Sequence, residues 1–204
     1  IWTEHCMGAS IGMAAGLYFA GSRQKAVATI GDSTFFHMGI QPLIDAVQHN
    51  ANITVIVLDN GTIAMTGHQP HPGSGETATG EKVKPILIED IAKAVGVKFV
   101  KVVDPYDLKE TTDVLVEALK FEGVSVVVAR RLCAILAARR KLTGPPCYVD
   151  PDTCTGCRTC ILQLGCPSLV WEGEKTVIDA DTCTGCGVCI QVCPYNAIKM
   201  EKEE

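Results

Sequence analysis

Over its first 130 residues the chain alternates short apolar runs with segments of helical periodicity. Apolar residues at i, i+3, i+4 and i+7 predict helices, whereas nearly unbroken apolar runs predict strands that are buried on both faces of a parallel sheet. The predicted strands are 26–30, 53–58, 97–103 and 124–128, and the predicted helices are 6–21, 38–50, 86–95 and 108–119. This alternation predicts an α/β domain with a parallel sheet.

One long segment fits neither pattern. Residues 61–85 contain five glycines and three prolines and show no hydrophobic period. Loops of this length are uncommon in compact domains unless they serve a function. We therefore predict a lid or a partner-contact loop, with a disordered linker as the alternative.

The pattern changes again near residue 147. Two short strands around a turn are predicted in 169–179 and a last strand in 197–200, with short helices that carry the cysteines of 160–166 and 189–193. These elements predict a small α+β domain, similar in size to a bacterial ferredoxin.

The chain is therefore predicted to have two domains, an α/β domain at 1–132 and an α+β domain at 147–204, joined by a linker at 133–146. The segment 130–141 is basic and is followed by two prolines. We interpret its charges as a solvated face rather than a binding site.

The small domain holds eight of the chain's 11 cysteines in two runs. The second run reads C-x2-C-x2-C-x3-C-P, the spacing of bacterial 4Fe–4S proteins, in which the fourth cysteine ligates the other cluster. The first run repeats this pattern but lengthens its last gap to five residues. The predicted ligand sets are Cys154, Cys157, Cys160 and Cys193 for one cluster, and Cys166, Cys183, Cys186 and Cys189 for the other.

Zinc and disulfides are the alternatives for these thiols. Pairs spaced C-x2-C also bind zinc, but zinc takes four ligands per site rather than interleaved triplets with a following proline. Disulfides would require an oxidising compartment. We therefore predict two 4Fe–4S clusters.

Composition indicates a globular protein, with 47% hydrophobic and 20% charged residues. No apolar run approaches the ~18 residues that a membrane span requires, and no signal peptide is recognisable, so we expect a cytoplasmic protein that does not bind membranes. The sequence begins at Ile1 without an initiator methionine. We expect it to be a piece of a longer polypeptide.

The net charge of −5 lies entirely in the small domain, because residues 147–204 hold nine acidic and four basic residues whereas residues 1–146 hold 14 of each. Ligated thiolates would add to this negative charge. An acidic surface disfavours nucleic acid as a partner and favours docking to a complementary protein.

Polar residues follow two neighbouring predicted strands. Asp32 comes after the first strand and Asn60 after the second. Strand ends of this kind meet where open α/β sheets bind ligands, and Mg²⁺ prefers carboxylate and neutral oxygen donors while sharing its shell with phosphates. Gly31 and Ser33 leave room and donors for phosphate oxygens. The sequence thus predicts a site for a diphosphate held through Mg²⁺.

Gly31-Asp32-Ser33, followed 28 residues after Asp32 by Asn60, resembles the motif of the thiamine-diphosphate-binding domain of 2-oxoacid enzymes. Ser33 departs from the usual glycine at its position. The resemblance implies that the carbonyl of Thr62 is a third protein ligand of Mg²⁺. It also implies that the small-residue segment that includes Met7 and Gly8 lies near the cofactor.

A thiamine domain followed by a two-cluster module resembles the 2-oxoacid:ferredoxin oxidoreductase family. Residues 31–39 and 59–69 are similar to the carboxyl-terminal part of the alpha subunit of its indolepyruvate-type members. The resemblance implies oxidative decarboxylation of a 2-oxoacid, such as an arylpyruvate, to its acyl-CoA, with electrons passing through both clusters to an external ferredoxin. A non-catalytic electron-transfer subunit is the alternative.

The same resemblance implies missing parts. Coenzyme A would be a co-substrate, and a pyrimidine-binding domain and a beta subunit would complete the enzyme. We expect that pyrimidine-binding domain to supply the glutamate that activates the cofactor.

Histidines and the remaining cysteines carry weaker signals. His37 and His68 are weak catalytic candidates, as is His71, since a lone histidine in a loop more often lies at the surface. Ordinary buried thiols are the favoured interpretation of the cysteines outside the two runs, which are Cys6, Cys133 and Cys147. A position near the cofactor is the alternative for Cys6.

Overall fold

The computed structural model describes residues 6–200. Ile1 to Thr3, which begin the sequence, lie outside this range. The chain divides into two compact units, Ile1–Cys133 and Ala134–Glu204.

The first unit is an α/β domain. Its helices are α1 (Ser10–Phe19), α2 (Asp32–Thr34), α3 (Ile40–Gln48), α4 (Ile88–Ala94) and α5 (Leu108–Lys120), with a π-helical turn at Phe35–Gly39. Its strands are β1 (Ala26–Gly31), β2 (Ile53–Asp59), β3 (Phe99–Val103) and β4 (Ser125–Arg130). All pairings are parallel, in the order β1-β2-β4-β3. The predicted parallel-sheet domain is confirmed.

Burial explains why the sequences of the two central strands are nearly continuous apolar runs. In β2 the side chains of Ile53, Val55 and Val57 are fully buried, and in β4 those of consecutive valines 126–128 are as well. Neighbouring residues of a strand point to opposite faces, so both faces of the sheet centre are covered.

Strand order brings three strand ends together. In the register of the sheet Gly31 of β1 lies beside Leu58 of β2, and Asp59 of β2 lies beside Arg130 of β4. The residues that follow β1 and β2 therefore face each other at the carboxyl edge, where open α/β sheets bind their ligands.

The helix after β1 begins earlier than the pattern predicts. The apolar repeat predicts a start at residue 38, whereas the chain turns helical at Asp32 and passes through the π-helical turn into α3. Phe35 of that turn is fully buried and Phe36 packs against the same core. A widened turn lets both aromatic rings pack inward, and such turns occur frequently at functional sites.

Residues 61–85 form a loop, as the sequence predicts. It contains two isolated antiparallel bridges, Ile63 with Gln69 and Glu76 with Lys82. The imidazole of His71, in the middle of the loop, lies 5.6 Å from the Phe36 ring. This contact holds the loop against the π-helical turn.

The second unit is a small α+β domain. Its elements are α6 (Ala134–Arg139), β5 (Cys147–Val149), α7 (Thr159–Leu164), β6 (Leu169–Glu172), β7 (Lys175–Ile178), α8 (Val188–Val192) and β8 (Ile198–Met200). Strands β5 and β8 pair antiparallel, as do β6 and β7. The predicted hairpin, last strand and two cysteine-bearing helices are present, whereas β5 and the helix α6 within the expected linker went unpredicted.

No helix within residues 6–200 is long and apolar enough to span a membrane.

Candidate cofactor and cluster sites

Asp32 is the buried centre of the carboxyl edge, with only 3% of its surface exposed. Its Oδ2 accepts hydrogen bonds from the backbone N–H groups of Asn60, at 3.0 Å, and Gly61, at 2.8 Å. Oδ1 accepts from the N–H of Ser33 at 2.7 Å. Three donors from two strand ends thus fix the orientation of this carboxylate.

The carboxyl group of Asp32 is held in its ionised form. Burial disfavours the charge, but the hydrogen bonds from His71, Ser33 and Gly61 outweigh it, so the pKa of Asp32 lies below its ordinary value. An ionised carboxylate is a donor that a divalent cation requires.

The other predicted ligands follow β2. Asn60 Oδ1 accepts the N–H of Thr62 at 3.0 Å, which closes a tight turn. Thr62 is buried, and its hydroxyl donates to the carbonyl of Gln69 at 3.2 Å. The turn therefore fixes the Asn60 side chain and the Thr62 backbone on the same short segment, adjacent to Asp32.

His71, which is only a weak catalytic candidate by its sequence, also belongs to this site. It is 6% exposed rather than at the surface, and its Nε2 lies 3.1 Å from Asp32 Oδ2. Its Nδ1 accepts the N–H of Gly73 at 3.1 Å, so the proton lies on Nε2 and is donated to Asp32. The loop thereby supplies a further donor to Oδ2 and leaves Oδ1 as the oxygen with fewer partners.

The small-residue segment before α1 lies against the helix that Asp32 begins. A Cβ at Gly8 would lie 2.7 Å from Met38 Cβ in the π-helical turn, so the two backbones approach closely. Met7 is exposed. The predicted cofactor-contacting residues Met7, Gly8, Gly31 and Ser33 thus belong to segments that lie around the start of the helix.

These residues fit a divalent cation that carries a diphosphate. The donor set comprises one ionised carboxylate, one amide oxygen and a backbone carbonyl, which are the hard oxygen donors that Mg²⁺ takes. The helix from Asp32 presents backbone N–H groups near the same edge, as phosphate-binding helix starts do.

Arg130, at the end of β4, is an exception to the interpretation of the basic segment as a solvated face, whereas Arg131, Arg139, Arg140 and Lys141 are exposed as predicted. Its Nε donates to Asp59 at 2.7 Å, and Nη1 and Nη2 donate to the two oxygens of Glu89 at 2.9 and 2.6 Å. The hydrogen bonds from Arg130 lower the pKa of Glu89. Burial raises the pKa of Asp59, and the negative charge of Asp32 raises it further. Arg130 thus ties β2, the strand that positions Asn60, to α4.

We expect Arg130→Met to lower the free energy of unfolding by about 2–3 kcal/mol. The substitution leaves two carboxylates unpaired at a strand end, but the 36% exposure of the arginine side chain keeps the loss below the ~3–5 kcal/mol of a fully buried pair. Urea unfolding of the chain followed by circular dichroism measures the change.

The neighbouring arginine is the matched control. Arg131 pairs with Asp104 through side chains that are 46% and 42% exposed, so Arg131→Met should cost less than about 1 kcal/mol. Equal losses for the two variants would contradict the role assigned to Arg130.

One cysteine set lines a single cavity in the second unit. The cavity, of about 20 Å³, is bordered by residues of both cysteine runs, namely Cys154, Cys157, Cys160 and Cys193, together with Val149 and Thr176 among others. Cys160 Sγ lies 3.5 Å from the hydroxyl of Thr176. The fold therefore brings together the four thiols that the cysteine spacing assigns to the first cluster.

The other set lines a second and larger cavity of about 180 Å³. Its cysteines are Cys166, Cys183, Cys186 and Cys189, which are the four assigned to the second cluster, and in addition Cys147. Burial, followed by the neighbouring thiol of Cys147, raises the pKa of Cys189 to about 12. A metal must therefore displace a tightly held proton from this sulfur.

Both cavities fit 4Fe–4S clusters by the chemistry of their linings. Among residues 6–200 no three His, Cys, Asp or Glu side chains converge as the ligands of one ion would. Each thiolate of a cubane binds a different iron, so a cluster asks for thiols distributed around a cavity. The apolar neighbours Leu164, Leu169 and Ile178 complete the second cavity.

The remaining candidate histidines and cysteines differ in their surroundings. His37 is exposed, with Nδ1 2.6 Å from the carbonyl of Ser33. His68 lies 3.6 Å from the thiol of half-buried Cys133, whose N–H donates to the carbonyl of Asn60. Cys6 is exposed, so its interpretation as a buried thiol is wrong. Cys147 is buried, as expected, but it also belongs to a cysteine cavity.

Comparisons with known proteins agree with this division. Residues 2–129, more than half of the chain, match the family of the thiamine pyrophosphate enzyme C-terminal TPP binding domain. Residues 151–170 and 176–199 each match a 4Fe-4S binding domain family.

Two similar proteins carry the name indolepyruvate oxidoreductase subunit IorA. The protein from Archaeoglobus fulgidus is 49% identical over 199 residues, and that from Pyrococcus abyssi is 48% identical over 220 residues. The matches cover 97% and 98% of this chain but 32% and 34% of those proteins, so the chain spans about a third of their length. The predicted resemblance to the carboxyl-terminal part of this subunit is confirmed.

Among solved structures, the 2-oxoglutarate:ferredoxin oxidoreductase from Magnetococcus marinus has a similar fold. It superposes with a TM-score of 0.56 at 23% identity, over 62% of this chain and 45% of that one. That structure holds 2-oxoglutarate, coenzyme A and succinyl-CoA.

Proposed function

The chain belongs to the thiamine pyrophosphate enzymes through their C-terminal TPP-binding domain, and on that premise we propose that it is the cofactor-binding and electron-carrying part of a 2-oxoacid:ferredoxin oxidoreductase. Its reaction is the oxidative decarboxylation of a 2-oxoacid, an arylpyruvate such as indolepyruvate, to the acyl-CoA. One observation carries the proposal: the buried Asp32–Asn60 site and two cysteine-lined cavities occur on one chain. The names of the relatives support the substrate.

Asp32, Asn60 and the carbonyl of Thr62 hold Mg²⁺ in this proposal. Met7, Gly8, Gly31 and Ser33 contact the cofactor. When bound, thiamine diphosphate supplies the carbon nucleophile and the electron sink that 2-oxoacid chemistry requires. The protein contributes position and charge: Asp32 remains ionised, and the turn at Asn60 fixes the neutral oxygen donors beside it.

The cysteines hold the electron carriers. Oxidation of a 2-oxoacid to the acyl level releases two electrons, whereas each 4Fe–4S cluster takes one at a time. Cys154, Cys157, Cys160 and Cys193 bind one cluster, and Cys166, Cys183, Cys186 and Cys189 bind the other. Two one-electron centres on one chain match this stoichiometry.

Further components complete the proposed enzyme. Coenzyme A takes the acyl group and an external ferredoxin takes the electrons. A pyrimidine-binding domain and a beta subunit supply the rest of the active complex, which we place in the cytoplasm. The similarity to subunits of oxidoreductases supports this assembly.

Reduction of the clusters by substrate alone tests the proposal. Indolepyruvate and coenzyme A, added without ferredoxin to the anaerobically purified complex that contains this chain, should bleach the visible absorption of the clusters, because the electrons remain on them. Removal of Mg²⁺ and thiamine diphosphate by chelation should abolish the bleaching, and adding both back should restore it.

A different result would favour the electron-transfer subunit. If dithionite bleaches the clusters but none of indolepyruvate, phenylpyruvate, pyruvate and 2-oxoglutarate does, the chain carries electrons without binding the catalytic cofactor. Bleaching by 2-oxoglutarate in preference to the arylpyruvates would overturn the substrate but not the reaction.

A further inference from the structure

The second cysteine cavity contains one thiol more than a cubane uses. Five cysteines line it, whereas the cavity that the other set lines has four. The extra residue, Cys147, is 2% exposed and is the first residue of β5. It lies outside both cysteine runs, and the proposed ligand sets do not use it.

The backbone around Cys147 places it against two of the predicted ligands. Its N–H donates to Cys183 Sγ at 3.4 Å. Its thiol lies within hydrogen-bonding reach of the Cys189 thiol. Both contacts are to sulfur atoms of the same triplet, and the strand that carries Cys147, β5, pairs with β8.

These contacts decide between two roles for Cys147. The four ligands of a cubane bind four different irons, so the cluster itself keeps their sulfurs apart. A residue that touches both Cys183 Sγ and Cys189 Sγ lies between two corners of the ligand set rather than at a fourth corner. Cys166 enters the cavity from a separate segment, after α7 and before Pro167, and is placed to be the fourth ligand.

We propose that Cys147 is an unligated thiol that donates a hydrogen bond to the sulfur of Cys189 and so raises the reduction potential of the second cluster. Hydrogen bonds to cluster sulfurs stabilise the reduced state, because reduction adds negative charge to them. The backbone N–H of Cys147 acts in the same direction on Cys183. This inference rests on the proposal that the cavity holds a 4Fe–4S cluster.

The first cavity has a counterpart of different chemistry. There the hydroxyl of buried Thr176 lies 3.5 Å from Cys160 Sγ. Thr159 Oγ1 also lies 3.3 Å from Cys157 Sγ, so hydroxyls lie beside two sulfurs of the first triplet and can donate to them once the cysteines are ligated thiolates. Beside the second triplet the neutral side chain is a thiol. The donors differ in strength, which gives two clusters on one chain separate means of setting their potentials.

Two substitutions separate the hydrogen bond from the volume of the side chain. Cys147→Val keeps the approximate size and suits a strand but has no donor, whereas Cys147→Ser keeps a donor. In the holoprotein we expect both to retain about eight irons per chain. A redox titration followed by electron paramagnetic resonance should show the second cluster at a more negative potential in the valine variant. In the serine variant the potential should be equal to the unsubstituted value or more positive, because a hydroxyl is a stronger donor than a thiol.

The first cluster provides the internal reference, since its potential should not move in either variant. Cys166→Ala should remove the second cluster and lower the iron content to about four per chain, so that the signal that remains belongs to the first cluster. Should the valine variant not fold, Cys147→Ala provides a second side chain without a donor, with the same expected direction of shift.

The failures are distinguishable. An unsubstituted chain with fewer than about eight irons would overturn the cluster assignment itself. Loss of about four irons in Cys147→Val, or retention of about eight in Cys166→Ala, would make Cys147 the fourth ligand and overturn its role as a donor. Full iron content with unchanged potentials in all Cys147 variants would overturn the hydrogen bond alone.

Discussion

Asp32→Ala is expected to abolish binding of Mg²⁺ and thiamine diphosphate while both clusters remain. The substitution removes the only ionised donor of the proposed site, and loss of a direct ligand should weaken the metal by more than the roughly 10–100-fold that loss of a supporting residue costs. It also removes an acceptor from the half-buried N–H groups of Asn60 and Gly61, although Gly61 keeps Asp59 Oδ1 at 3.3 Å, so the cost to folding should not exceed about 1–3 kcal/mol. Calorimetric titration with thiamine diphosphate and Mg²⁺ measures the binding.

Asp32→Asn separates the loss of charge from the loss of structure. The amide keeps an oxygen at nearly the same place, so folding should be retained while affinity still falls. Cys186→Ala is the reciprocal control, and it should lose one cluster without changing cofactor binding. If Asp32→Asn bound the cofactor as tightly as the unsubstituted chain, or if either change removed both groups, the division into two independent sites would be wrong.

Gly156→Ala and Gly185→Ala are each expected to remove one cluster. Both glycines precede the second cysteine of a run, at φ +71° and +63°, where an L residue is disfavoured. A Cβ at Gly156 would lie 2.5 Å from the carbonyl oxygen of Glu174, and one at Gly185 would lie 2.5 Å from that of Gly144 and overlap that of Pro145. Backbone cannot move aside as a flexible side chain does, so Cys157 or Cys186 is displaced from its cavity.

Iron and sulfide counts after anaerobic reconstitution measure this effect, with about eight irons per chain falling to about four. Gly173→Ala, in the same unit, is the matched control. Gly173 has a similar φ of +60° but nothing within 4 Å of its Cβ position, so it carries the conformational cost without the overlap. Full iron content in both test variants, or equal loss in the control, would contradict the steric argument.

Much of the fold follows from periodicity. The strands β2 and β4 are nearly continuous apolar runs because both faces of the sheet centre are covered. The juxtaposition of Asp32 and Asn60 was predictable for a related reason, since the ends of parallel neighbours meet at one edge. The grouping of the cysteines around two cavities also agrees with the prediction from their spacing.

The unpredicted features depend on contacts between distant segments. His71 lies 39 positions from Asp32 in a loop without a period, and only the folded loop brings the two together. Arg130 is 41 positions from Glu89, and its membership in a basic segment concealed a specific pairing. Cys147 belongs to no spaced motif. A clearer hydrophobic pattern in the sequence would not have revealed any of the three residues, because each contacts a polar partner elsewhere in the chain.

The crossing of the two cysteine runs has a consequence for biosynthesis. Cys193 lines the cavity of the first run, and Cys166 lines that of the second. Translation proceeds from the amino terminus, so the first three cysteines of the first run are made before Cys193, the fourth thiol of their cavity. Cys166 is likewise made before the three cysteines of the second run with which it shares a cavity. One set is complete only when Cys189 has been made, and the other only when Cys193 has been made. Iron and sulfide delivery must therefore follow the synthesis of both runs.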